Sequence, residues 1–318
     1  MRLTTRLSVK SFSVFGLFVA GLLSALPLAA ADPFEAWTWR GLEAKESFKG
    51  NNYESAAFAK GLLVIVGTGG KVLARKEADS AFHIYDAGTQ RPLYGVAVAN
   101  NTFFAAGARG TLQSSKNGEA WNARNSPVSV PLFAIAYTDS VFVAVGDGGT
   151  ILTSRVGSQW TPQSSRVIDT LYAVTYREVT FLTVGANGTI LLSGDGTYWL
   201  PQTSGTRRTL HGVTVNSGKP KRFVAVGDEG VILTSPNGVV WTPQNSGTTK
   251  NLYAVEYGQG SFIAVGAEGT IVTSLDGTTW KTRTSGVKHF LKAVVFTRSA
   301  CWVVGWNGAI LESGPLSK

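Results

Sequence analysis

Apolar and polar positions along this chain fall into runs too short for helices. Within residues 252–281, four β-branched and aromatic runs cover 252–257, 261–265, 270–274 and 278–282. Gly-Gln-Gly, Gly-Ala-Glu-Gly and Asp-Gly separate them, and these are turn sequences. The unit therefore predicts four short strands joined by hairpins. Its signature is a pair of glycines with two residues between, at Gly67/Gly70, Gly107/Gly110, Gly146/Gly149, Gly185/Gly188, Gly227/Gly230, Gly266/Gly269 and Gly305/Gly308. Successive pairs are 40, 39, 39, 42, 39 and 39 residues apart. A tryptophan follows the first glycine by 14 residues at Trp121, Trp160, Trp199, Trp241 and Trp280. A period near 40 marks a repeat architecture, and four antiparallel strands per period make a β-propeller blade. The absence of helical stretches excludes the helical solenoids, and leucine-rich horseshoes carry one strand in a shorter repeat. The expected fold is all-β: one seven-bladed β-propeller domain of four-stranded antiparallel blades over residues 32–318.

The third residue of the first strand is small in six units: Gly95, Ala134, Ala173, Gly212, Ala254 and Ala293. Such residues suit innermost strands that converge on a narrow axis. Ring closure is also readable. One strand, Ile310-Leu-Glu-Ser313, follows the seventh glycine pair, which leaves blade seven without an outer strand. Ala36-Trp-Thr-Trp-Arg40 is the matching orphan, because Trp39 precedes Gly67 by 28 residues, as Trp199 precedes Gly227. Pairing the N-terminal strand with the last blade removes two open sheet edges. The first blade is degenerate. Its tryptophan position falls at Ala81 beside Phe82, and Lys76-Glu-Ala78 replaces the Asp-Gly turn.

The first 31 residues read as an export signal. Arg2, Arg6 and Lys10 precede an apolar run from Phe12 to Leu28, and Ala29-Ala30-Ala31 offers a small-residue cleavage site. Pro27 and that site argue against a membrane anchor, so the mature chain is expected to lack a transmembrane segment and to be periplasmic or extracellular. Net charge is +9 over 318 residues, and removal of the leader leaves it at +6, too modest a basic excess to suggest nucleic acid. The single cysteine, Cys301, excludes an intramolecular disulfide and any multi-cysteine metal site. His83, His211 and His289 lie in three different repeats, so neither a metal nor a cofactor is expected.

Five turns read Ser-x-x-Gly-x-x-Trp, beginning at Ser115, Ser154, Ser193, Ser235 and Ser274. Asn or Asp precedes the glycine in four, and Val156 in the other. The pattern predicts a serine hydroxyl bonded to the turn backbone, an Asn-Gly or Asp-Gly pair supplying positive φ, and a tryptophan between blades. These turns resemble Asp boxes, one residue shorter than the usual form. The unit around Phe262-Ile-Ala-Val-Gly-Ala-Glu-Gly-Thr-Ile-Val-Thr-Ser-Leu-Asp-Gly-Thr-Thr-Trp280 is similar to exported bacterial propellers related to the photosystem II assembly and stability factors. That resemblance covers nearly all of the mature chain. It implies a scaffold that binds partner proteins and has no catalytic residues. Five copies of one turn also argue for structure, since an active site is needed once.

Strand order nominates a face. The loops from each outer strand to the next inner strand lie at the same end as the Gly-x-x-Gly turns, and they read as the longest and least repeated segments. Two places before each inner strand stand Asn51, Arg91, Val130, Asp169, Arg208, Lys250 and His289, expected to ring the channel mouth. Arg166, Arg207, Arg283 and Lys288 are in the same loops. Arg91, Asp169, Arg207, Arg208, Lys250, Lys288 and His289 are the candidate partner-binding residues. The leading expectation is a monomeric, non-enzymatic, exported propeller binding a protein or anionic partner through this face. The alternative is a carbohydrate-active enzyme of the glycoside hydrolase kind, drawing its two carboxylates from Asp169 with Asp147, or Asp228 with Glu229, with Glu268 a weaker candidate. A third possibility is a structural module of a larger envelope assembly.

Overall fold

The computed structural model describes Phe34, Trp37–Trp39 and residues 51–138, 140–177 and 180–314. These residues all belong to the second of two compact units, Met1–Asp32 and Pro33–Lys318. The leader read in residues 1–31 lies outside the described residues. Seven four-stranded antiparallel sheets follow one another as blades. Numbering strands in chain order from β1 (Trp37–Trp39), the inner strands of blades one to seven are β2 (Tyr53–Ala59), β6 (Leu93–Ala99), β10 (Leu132–Tyr137), β14 (Leu171–Arg177), β18 (Leu210–Val215), β22 (Leu252–Gly258) and β26 (Leu291–Phe296). Each packs on the next, and β26 packs on β2. The ring is closed.

Closure comes from the segment the spacing singled out. Blade seven is ordered β26, β27 (Cys301–Gly305), β28 (Ile310–Ser313) and β1, with Trp37 opposite Ser313 and Trp39 opposite Leu311. Phe34 and Trp37 pack into the cluster of Ile263, Leu291, Val303 and Leu311 between blades six and seven. On the other side, the seam with blade one packs Tyr53, Ile65 and Leu73 against Val295, Trp302 and Ile310, and hydrogen bonds cross it as well. The backbone N–H of Gly308 donates to the Asn51 carbonyl at 2.8 Å, and Trp306 Nε1 donates to Glu54 Oε1 at 2.9 Å. In degenerate blade one, Phe82 takes the tryptophan's place, buried edge-on against Trp302 at 5.8 Å.

The box turns hold blades together as expected, with one correction. Each box serine accepts the N–H of its glycine at 2.8 Å, and each box tryptophan donates Nε1–H to that glycine's carbonyl. Positive φ, however, belongs to the glycine alone, for example Gly196 at +79°. The preceding Asn or Asp acts through its side chain. Asp195 Oδ1 accepts the amides of Thr197 at 2.8 Å and Tyr198 at 3.0 Å. The Thr197 hydroxyl and these amides hold its carboxyl well below the usual range. Val156 is tolerated in the second box because no left-handed backbone is required there. A further difference concerns the fourth strand of each repeat. In blade six it covers Lys281–Arg283, so Trp280 closes the turn instead of joining the strand.

Candidate functional site

All seven inner strands carry the same irregularity. Pairing with the second strand jumps from the first residue to the third, for instance from Leu132 to Ala134, leaving the second residue as a bulge. A bulge re-aims one side chain. Here it turns Glu54, Tyr94, Phe133, Tyr172, His211, Tyr253 and Lys292 into the central channel, where they line a cavity of about 490 Å³. The small third residue makes room for the bulge: a Cβ on Gly95 would stand 3.0 Å from the Ala134 Cα of the next blade, and one on Gly212 3.0 Å from the Ala254 Cα. Neighbouring bulged rings are in contact. Centroids are 5.3 Å apart for Tyr94–Phe133, 5.3 Å for Phe133–Tyr172, 5.2 Å for Tyr172–His211 and 5.4 Å for His211–Tyr253. Phe290 and Trp306 carry the chain of rings past Tyr253. The result is an aromatic collar just inside the mouth on the loop face.

The collar's charges sit at the seam of the ring. Lys292 Nζ lies 3.9 Å from Glu54 and 4.2 Å above the Tyr253 ring. Burial pushes the Glu54 carboxyl up and the Lys292 ammonium down, and each partly offsets the other. Burial likewise lowers the pKa of His211, whose Nε2 is 2.8 Å from Asp228 Oδ1. A neutral imidazole donating Nε2–H to that carboxylate satisfies both groups.

Deeper in the channel, burial pushes the Glu256 carboxyl up to about 7. The Tyr257 amide at 3.2 Å, the Thr214 hydroxyl at 3.5 Å and the charge of Arg177 oppose the shift without cancelling it. A carboxyl whose folded pKa is raised adds stability below its unfolded pKa and loses that advantage as pH rises through the folded value. Glu256→Gln should therefore match the parent near pH 4 and exceed it near pH 8 by up to about 3 kcal/mol, the ceiling set by the size of the shift. Urea melts at the two pH values check it; equal gains at both would contradict the burial of an ionised Glu256.

Above the collar, the rim obeys a pairing rule. In blades four to seven the residue two places before the inner strand faces the third residue of the Gly-x-x-Gly turn in the same blade. Arg208 is ion-paired with Glu229, and Lys250 with Glu268 at 2.6 Å. Asp169 accepts Asn187 Nδ2 at 2.7 Å and the Thr189 hydroxyl at 3.0 Å, while Asn307 Nδ2 lies 3.4 Å from His289 Nδ1. Blades one and three carry glycine at the turn position, and blade two carries two like charges. The two positions of blade two hold Arg91 and Arg109, both exposed, and among the described residues neither guanidinium has an ion-pair partner. Arg109, Asn187, Glu229, Glu268 and Asn307 all hold φ between +53° and +55°, the left-handed region that disfavours side chains. At the equivalent Gly69 and Gly148 an added Cβ would meet nothing within 4 Å, so the strain is in the backbone and not in packing. Glu268→Gly should accordingly raise stability by about 1 kcal/mol, since the exposed Lys250 pair it removes contributes less. Thermal melts read the sign; a loss above that size would show the pair to dominate.

Two expectations about this face need correction. The outer-to-inner loops are more alike in structure than in letters: the hydroxyls of Ser126, Ser165, Ser204, Ser246 and Ser285 each donate to the carbonyl and accept the N–H two residues ahead, making one standard turn. The letters vary within the turn as well as just before each inner strand, but in these five loops the serine turn itself is the same. Nor do the basic residues form one ring. Arg208 and Lys250 are neutralised by acids, Arg207 lines a separate cleft with Asn187 and Gln202, and Lys288 is exposed one residue before His289. Arg166 lies 4.6 Å over the Tyr198 ring, and Arg283 is on an outer strand bonding Thr273. The collar is what sequence reasoning missed. Its signal was present as a second inner-strand position reading Glu, Tyr, Phe, Tyr, His, Tyr, Lys between a first position of Leu or Tyr and a third position no larger than Ala or Ser.

No family model matches the chain, and no curated protein does. Solved structures share its fold. YCF48 from Cyanidioschyzon merolae is similar with a TM-score of 0.71 at 16% identity, over 88% of this chain and 99% of that one. A structure described as YCF48 bound to D1 peptide reaches 0.70 at 15% identity, over 87% of this chain and 94% of its own. The computationally designed Ika8 protein reaches 0.61 at 12%, over 87% and 98%. The resemblance to assembly-factor propellers drawn from the repeats holds at the level of fold. A designed protein shares that fold too, so the site must carry the function.

Proposed function

We propose that this chain is an exported, non-enzymatic propeller that binds a segment of a protein partner at the channel mouth, as an assembly factor does. The observation that carries the reading is the collar: seven bulged side chains, mostly aromatic, around a cavity of about 490 Å³ on the face that also bears the rim. Aromatic groups in a concave, half-buried setting are the usual anchors for a partner's side chains. The YCF48 structure bound to a D1 peptide supports a peptide ligand for a propeller of this fold. The leader pattern supports export. Arg91 and Arg109 add two cations without internal partners, suited to acidic groups on the partner's surface.

The carbohydrate-active reading gains no comparable support. Asp147 accepts the Thr170 hydroxyl at 2.6 Å, Asp228 is tied to His211, Asp169 to Asn187, Glu229 to Arg208 and Glu268 to Lys250. With the mature protein as bait in an envelope extract, the Arg91→Ser/Arg109→Ser double variant should retain its melting temperature and lose most of the captured partner, and added salt should do the same to the parent. Lys219→Ser, on the opposite face, should leave capture unchanged. A partner indifferent to both salt and the double variant would place the binding surface elsewhere.

A further inference from the structure

The collar has two unlike halves. On one side the protein's own cation is already in place: Lys292 Nζ sits 4.2 Å from the Tyr253 centroid and 5.7 Å from that of Trp306, with Glu54 as its counter-charge. On the other side, Tyr94, Phe133 and Tyr172 form a continuous arc with no cation over it among the described residues. Carboxylates stand at both ends of that arc. Burial, and after it the Glu54 carboxylate, raises the Tyr94 hydroxyl pKa, and burial, followed by Asp147 and Asp228, raises that of Tyr172. His211 bonds Asp228 at 2.8 Å, and burial disfavours its charged form. Ring faces attract cations most strongly where water is scarce, and nearby carboxylates add to the attraction.

We infer that the channel mouth receives one basic side chain of the partner, a lysine or an arginine, whose cation lies over the rings of Tyr94, Phe133 and Tyr172 between Glu54 and Asp147. The inference rests on the reading that this face binds a protein segment, and it names the anchor. The open arc repeats the arrangement that Lys292 already occupies across the channel. The unpaired Arg91 and Arg109 stand on the rim of the same blade as Tyr94, so an acidic group neighbouring the basic one in the partner would meet them outside the cavity. The preferred segment thus carries both signs of charge, the basic residue being the one that enters.

The test uses side-chain mimics on the full mature protein. n-Butylammonium and n-butylguanidinium are titrated against n-butanol, of similar size and no charge, and butanoate, of opposite charge, following the indole N–H resonance of Trp306 assigned with Trp306→Phe. The two cations should give saturable shifts, and butanol and butanoate should neither saturate nor compete. Phe133→Leu/Tyr172→Leu, which keeps apolar volume and removes ring faces, should weaken cation binding at least about fivefold. Glu54→Gln, which keeps an acceptor for Trp306, should weaken it comparably. Equal binding of butanol, preference for butanoate, absence of a saturable cation shift, or indifference to the leucine pair would each overturn the inference. Loss of cation binding with partner capture intact would remove only the anchor; cation binding without capture would remove only the docking reading.

Discussion

Removal of residues 32–40 will open the ring and cost several kcal/mol of stability. Strand β1 supplies the outer edge of blade seven through a three-residue register with Leu311, Glu312 and Ser313. Phe34, 3% exposed, and Trp37, stacked on it at a centroid distance of 6.2 Å, leave the blade six–seven cluster with it. Burial of each large apolar side chain contributes about 1.5–3 kcal/mol. The truncation also bares the edge of β28, where Ile310 and Leu311 are fully buried, and an unpaired hydrophobic edge invites association. Urea melts and light scattering on the truncated chain check both effects. A cooperative transition at the parent's midpoint, with no aggregation, would show that the pairing of chain ends does not hold the ring.

Trp199→Ala will be the most damaging single substitution in the box turns. Trp199 is fully buried among Val143 and Ile151 of blade three and Phe181 and Leu191 of blade four, and its Nε1 donates to the Gly196 carbonyl at 2.9 Å. Truncation leaves a cavity between two blades and an unpaired carbonyl beneath it, for a loss of about 3–5 kcal/mol. Trp199→Phe keeps much of the volume and forfeits the hydrogen bond, so about 1–2 kcal/mol is expected. Trp121, only partly buried in a blade whose neighbour lacks a box, should lose less on the same truncation. If all three changes cost the same, the tryptophans act as isolated turn residues and not as interblade packing.

The fold was legible because each of its determinants is local and repeated. Gly-x-x-Gly recurs since the first and last glycines lie against backbone: a Cβ on Gly188 would overlap the carbonyl oxygen of Thr206, and one on Gly185 that of Thr170. The same repetition misled the reading of the site. Loop segments differ in letters, as in Ser-Ser-Arg-Val against Thr-Ser-Gly-Thr, yet fold into one serine turn, so apparent variability there carried no function. Rim charges look like a basic ring until their partners 18 or 21 residues onward are brought opposite, as Glu229 is to Arg208. The collar escaped for a different reason. Strict alternation would send the second inner-strand residue to the same face in every blade, but whether that face is a blade interface or the channel depends on the bulge, and a bulge has no residue signature of its own.

The central claim is that the loop-face channel mouth, and not the box-turn face, meets the partner. The most direct measurement replaces Phe133 in the collar, and separately Leu275, 81% exposed in the box turn of blade six, with a photo-activated benzophenone amino acid in the full chain. After irradiation in intact cells, the crosslinked peptides are identified by mass spectrometry. The account predicts that position 133 captures a discrete segment of one partner protein and that position 275 captures none in common with it. Capture of that partner from position 275 with none from 133 would contradict it.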